Sequence, residues 1–196
     1  MIKKEGNKFN ILKKSKDSFD ESDFRNAIKH KNNKYVINLI ASNAGTGKSM
    51  FFAKLSQKIK HQNSKLLVFN IDLNAISLKL NNRDIQFETI VDLLYHSTNH
   101  QNKLDKNIFE YQLQSKNIVL FLDGFDMIRS SHKSMVLKMI QVDSCITIDT
   151  IWISTRLYNS ILNDIKIIFA NFHVRYYNFV PLTEDNQIDI LKTIWK

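Results

Sequence analysis

The segment Tyr35–Leu55 constrains this chain more than any other. Tyr35-Val-Ile-Asn-Leu-Ile-Ala41 is a short apolar run rich in β-branched residues, which predicts a buried strand. Ser42-Asn-Ala-Gly-Thr-Gly-Lys-Ser49 is a turn of small residues. From Lys48 to His61 apolar residues recur at Phe51, Phe52, Leu55 and Ile59, the spacing of a helix. Strand, glycine turn and helix together make the P-loop pattern G-x-x-x-x-G-K-[ST], with Ser42 at its first glycine position. Its chemistry follows from polyphosphate shape. Backbone N–H groups from Ala44 to Ser49 must turn inward, and a Cβ at Gly45 or Gly47 would obstruct that curl. The helix that opens there adds unsatisfied N–H groups and a dipole that favour negative charge. In such a loop Lys48 reaches the β- and γ-phosphates and the Ser49 hydroxyl ligates Mg²⁺. The expected nucleotide-binding residues are Asn43, Ala44, Gly45, Thr46, Gly47, Lys48, Ser49 and Met50, with ATP or GTP and Mg²⁺ as ligands.

A phosphate loop needs a carboxylate beside the metal, at the carboxyl end of a neighbouring apolar strand. Asn117-Ile-Val-Leu-Phe-Leu-Asp123 is the most strand-like run in the chain and ends in that acid. Ser49 and Asp123 are therefore the expected metal site. The separation of 75 positions from Lys48 to Asp123 leaves room for a further strand, Leu66–Asp72, and for helices. That spacing fits the additional-strand class of P-loop proteins.

Further elements are expected as helices near Gln86–Tyr95, Asp105–Leu113, Ser131–Gln141 and Leu157–Phe169, and as strands at Ile148–Ser154 and Val174–Val180. The stretch between Asp72 and Gln86 reads as a polar connection. Pro181 breaks the chain, and Thr183 with Glu184 and Asp185 resembles a capped helix start. Alternation of this kind predicts an α/β fold: a mostly parallel five-stranded sheet with helices on both faces.

Composition narrows the function classes. A hydrophobic fraction of 43% with four glycines and one proline suits one packed α/β domain rather than a disordered chain. The single Cys145 excludes an internal disulfide framework, and six histidines show no metal-ligand spacing. No run approaches the ~18–20 apolar residues of a membrane helix, so a cytoplasmic protein without a membrane span is expected. The net charge is +9, and residues 1–34 hold ten basic residues against five acids. This leader lacks the aromatic interleaving of a nucleic-acid binder and is expected to be poorly structured or helical, so nucleic acid is not an expected partner. The expected organisation is a leader over 1–34, a nucleotide domain over 35–180, and the start of a helical domain over 181–196.

Ser42–Ser49, taken with Leu122-Asp-Gly-Phe-Asp-Met127, resembles the NACHT group of signal-transduction ATPases within the STAND class. That family carries an apolar strand followed by Asp-Gly-x-Asp-Glu. Asp123, Gly124 and Asp126 match, and Met127 stands at the Glu position. Val68–Asn74 resembles the family's second strand, and Trp152-Ile-Ser-Thr-Arg156 its sensor strand. Asn178–Gln187 resembles the segment leading into its small helical domain. The likeness runs over residues 35–196. It implies a nucleotide-driven signalling switch, with Asp123, Asp126 and Arg156 as catalytic residues and Arg156 facing the γ-phosphate. Loss of the Glu implies slow or impaired hydrolysis. It also implies self-association, and places Lys196 just inside the first helical arm, before the arms and repeats of longer members. A non-hydrolysing nucleotide-binding remnant and a P-loop phosphotransferase are the competing readings. The latter needs a basic lid, and between 124 and 170 only Arg129 and Arg156 offer arginines.

Overall fold

The computed structural model describes residues 36–80, 87–98, 103–141, 146–157 and 172–179, and singly 163, 165, 167, 169, 188 and 192. The leader 1–34, Cys145 and the segment from Pro181 to Asp185 lie outside the described residues.

Five strands form one sheet: β1 (Val36–Ala41), β2 (Leu66–Asp72), β3 (Asn117–Asp123), β4 (Thr147–Thr155) and β5 (His173–Tyr177). Their order is β2-β3-β4-β1-β5, and every pairing is parallel. Parallel strands need crossovers, and these bring helices onto both faces, so β1 and β3 are buried along almost their full length. β4 sits between β1 and β3, so the strand before the glycine turn and the strand ending in Asp123 are separated by one strand, as the additional-strand class requires.

Helix α1 (Lys48–Gln62) covers one face. Its Phe52, Leu55 and Ile59 pack on Ile40, Val68, Val119, Phe121 and Trp152. The rings lock together: Phe52 meets Phe121 edge-on at 5.1 Å, and Trp152 stacks between Phe121 at 6.0 Å and Tyr177 at 5.6 Å. Removing Phe52 from such a site typically costs about 3–5 kcal/mol, so the helix that opens at the glycine turn is anchored firmly. The opposite face carries Ile37, Leu39, Leu120, Leu122, Ile151 and Ile153. Against it pack α2 (Leu73–Leu80), α3 (Ile90–Ser97), α4 (Lys103–Gln114) and α5 (Ser130–Gln141).

Three expectations need correction. The connection after Asp72 is helix α2, because Asp72 Oδ1 accepts from the N–H groups of Asn74 (2.9 Å) and Ala75 (3.4 Å) while Leu73 and Ile76 turn into the core. Helix α3 starts at Ile90, not at Gln86. A capping box sets that start: Thr89 Oγ1 accepts from Asp92 N, and Asp92 Oδ2 accepts from Thr89 N. β5 ends at Tyr177, short of Val180. Residues 163, 165 and 167 are helical, as expected for 157–169, with Ile165 and Phe169 buried.

Candidate phosphate-binding site

β1 delivers the chain to the carboxyl edge of the sheet, and the glycine loop curls there. Gly45 (φ 76°) and Gly47 (φ 87°) both take the left-handed backbone region that side-chain-bearing residues rarely adopt. Ser42 replaces a glycine without opening the turn. It is buried, its N–H donates to Thr155 O, and its hydroxyl lies 2.7 Å from the Thr46 hydroxyl, bracing the loop across its base. Thr46 Oγ1 also lies 2.9 Å from Asn43 O.

The start of α1 is built differently from the start of α3. α3 carries a full capping box, whereas Gly47 at the head of α1 supplies no side-chain cap and the first turn holds no acid. Its leading N–H groups are thus left facing the cleft, the arrangement that suits an anion. Lys48 Nζ bridges the loop, donating to Ser42 O (2.9 Å) and Asn43 O (2.7 Å). Burial holds this amine below the ordinary lysine range. Asp126 pushes it back up, Arg156 pushes it down, and Asp123 pushes it up.

Ala44 through Met50 form one wall of an open cleft of about 730 Å³. Asp123, Gly124, Asp126, Met127, Ser154 and Arg156 form a second wall. Asn70, Asp72 and Asn74 form a third. Lys48, Ser49 and Asp123 therefore line one space. Asn43 does not line the cleft; its carbonyl instead receives Lys48 and Thr46.

The second wall is clamped to the end of β4. Ser154 Oγ donates to Asp123 Oδ1 and accepts from Gly124 N at 2.9 Å, and Phe125 N donates to Ser154 O at 2.9 Å. Gly124 makes the turn with φ 77°. This presents Asp126, whose side chain is only 6% exposed, to Arg156. Asp126 Oδ1 accepts from Arg156 N and Oδ2 from Arg156 Nε, both at 3.1 Å. Asp126 is thus committed to holding Arg156, while Met127 is 54% exposed at the cleft.

The donor set fits a phosphate chain with a hard cation. Uncapped N–H groups and a lysine face a space that also holds a hydroxyl and a carboxylate, the oxygen donors Mg²⁺ prefers. Among the described residues no group of three His, Cys, Asp or Glu is arranged to enclose a metal. Mg²⁺ bound through phosphates and water needs no such cage. No described helix is long and apolar enough to cross a membrane. Sequence reasoning missed Ser154 as the group that orients Asp123, and it missed the β2 wall. Polar Asn70 and Asp72, two apart in an otherwise apolar strand, were the available signal.

Neither protein-family models nor curated proteins yield a match to this sequence. Solved structures do share its fold. The Aeropyrum pernix ORC1 protein in complex with DNA aligns with TM-score 0.53 at 13% identity, covering 84% of this chain and 44% of that one. Drosophila ORC bound to GC-rich DNA and Cdc6 aligns with TM-score 0.52 at 10% identity, covering 84% of this chain and 28% of that one. Drosophila ORC bound to poly(dA/dT) DNA and Cdc6 gives TM-score 0.52 at 10% identity, with 83% and 28% covered. The chain spans less than half the length of each. With its parallel five-stranded sheet and helices on both faces, this chain shares its α/β fold with these solved structures.

Proposed function

We propose that residues 35–180 bind ATP or GTP with Mg²⁺ and act as the nucleotide-dependent core of a NACHT-like signalling switch, with slow hydrolysis. One observation carries the reading: an uncapped helix start behind two left-handed glycines faces Lys48, Ser49 and Asp123 in one cleft. Three groups take the ligand. The Ala44–Ser49 backbone and Lys48 hold the phosphates, Ser49 and Asp123 hold Mg²⁺, and Arg156 approaches the terminal phosphate. The Asp123-Gly124-x-Asp126 turn and its grip on Arg156 support the NACHT-like form. Met127, which has no acid–base function, supports slow turnover. In a switch of this kind a diphosphate favours one association state and a triphosphate another.

A fluorescent ATP analogue tests the binding claim: it binds in the presence of Mg²⁺ and is released when the cation is chelated. Binding that is indifferent to Mg²⁺ contradicts the site. Light scattering with Mg²⁺·ATP against Mg²⁺·ADP tests the switch, which requires different particle sizes for the two.

A second reading, nucleic-acid binding, rests on the basic leader and on neighbours solved with DNA. Those neighbours lend no support to the expectation that nucleic acid is not a partner. Salt-dependent DNA binding that disappears on deleting residues 1–34 establishes this second reading. Binding that survives the deletion, or is absent from the start, rejects it.

A further inference from the structure

We propose that Asp72 is the carboxylate that accepts the proton of the attacking water when this cleft hydrolyses a nucleoside triphosphate; the inference rests on the nucleotide-binding reading above. Three carboxylates line the cleft: Asp72, Asp123 and Asp126. Asp126 has both oxygens engaged by Arg156, through the main-chain N–H and through Nε, and its work is to position that guanidinium. Asp123 is oriented by Ser154 and shares the cleft with Ser49, where a carboxylate would serve the metal. At the position after Asp126, Met127 offers a thioether, which takes no proton.

Asp72 differs from both. It pairs in register with Asp123 on the adjacent parallel strand, a separation of about 4.8 Å between strands. Val68, Asn70 and Asp72 alternate onto the same face of β2, and Val68 packs under α1, so Asp72 stands on the face that carries the phosphate loop. Its Oδ1 caps α2 through Asn74 N and Ala75 N, which fixes the side chain. Oδ2 has no hydrogen-bond partner among the described residues and stays available to water in the cleft. A fixed carboxylate with one oxygen left over is what a general base requires.

In the step, the water oxygen bonds to the γ-phosphorus. The bond from that phosphorus to the β–γ bridging oxygen breaks, and its electron pair leaves with the nucleoside diphosphate. The water proton passes to Asp72 Oδ2 and then to solvent, so the products are nucleoside diphosphate, inorganic phosphate and a proton. Asp72 is exposed, and bulk water competes for it, so turnover is slow.

The full chain is assayed for phosphate release from Mg²⁺·ATP, with affinity measured in parallel. Asp72→Asn keeps an oxygen to cap α2 while removing the base. It lowers turnover about 10²-fold and changes affinity less than about twofold. Asp72→Glu restores turnover above the Asn level. Wild-type turnover in Asp72→Asn overturns the proposal. So does loss of turnover confined to Asp126→Asn, and so does a wild-type chain that binds Mg²⁺·ATP yet releases no more phosphate than Lys48→Ala. A wild-type chain that binds no Mg²⁺·ATP overturns the underlying site itself, and is read separately from the binding measurement.

Discussion

Replacing Gly47 by alanine separates the cost of folding the phosphate loop from the cost of filling it. Gly47 sits at φ 87°, and a Cβ built on it meets no protein atom within 4 Å. The free protein therefore bears only the left-handed backbone penalty, roughly 1–2 kcal/mol. For a chain of this size that lowers Tm by about 2–8 °C, at 2–4 °C per kcal/mol. The space the methyl group enters is the space a phosphate needs, against N–H groups that must approach it closely. Losing one or two such charge-assisted contacts, at about 1.5–3 kcal/mol each, weakens Mg²⁺·ATP binding by at least tenfold. Gly124→Ala is the matched control. Its φ is 77°, and its Cβ would lie 3.3 Å from Met127 Sδ, the far part of a flexible and exposed side chain. It bears the same backbone penalty outside the loop, so it lowers Tm similarly and costs less affinity than Gly47→Ala. Calorimetric unfolding and a nucleotide titration read the two quantities independently. If Gly47→Ala binds as the wild type does, or loses no more affinity than Gly124→Ala, the assignment of the loop as a phosphate cradle is refuted.

Other expectations follow from the same geometry. Because burial holds the free Lys48 amine below the ordinary lysine range, a bound phosphate raises it again. Nucleotide affinity is then full below the free-protein pKa and falls as pH rises through it, by up to about tenfold per pH unit; titrations across alkaline pH check the sign. Asp92 works the other way. Burial alone would raise its carboxyl, but the Lys106 ammonium and the donors of Thr89 and Glu88 outweigh that and hold it below the usual range. Its contribution is present in full above the unfolded value near 4 and is lost as pH falls through the lower native one. Asp92→Ala accordingly costs about 1–2 kcal/mol at neutral pH through the lost cap, and the difference from wild type narrows in acid-unfolding curves. Met127→Glu places a carboxylate at an exposed position on the cleft wall and raises phosphate release; an unchanged rate shows that this position does not face the water.

The fold and the left-handed glycine loop were legible in the sequence because their determinants are local. Buried parallel strands must be apolar on both faces, so β1 and β3 stand out as unbroken runs. Gly45 and Gly47 mark the loop because few other residues accept its backbone. What stayed hidden depends on partners distant in sequence. Asp126 reads as a catalytic acid until the end of β4, 30 residues on, brings Arg156 to both of its oxygens. Ser154 reads only as the end of a strand until it meets Asp123. Asp72 closes a strand and also caps the next helix, and that double duty disguised α2 as a polar connection. Its place in the cleft follows only from the β2–β3 register. Ser42 reads as a departure until its hydroxyl is seen against that of Thr46.

The central claim is that this loop grips a polyphosphate through Lys48. Calorimetric titration of the wild type and of Lys48→Ala with Mg²⁺·ATP tests it most directly. Removing one charge-assisted contact of about 1.5–3 kcal/mol predicts a loss of affinity between about 10- and 150-fold, with the fold intact by circular dichroism. Equal affinities in the two proteins, or no binding by the wild type, contradict the account.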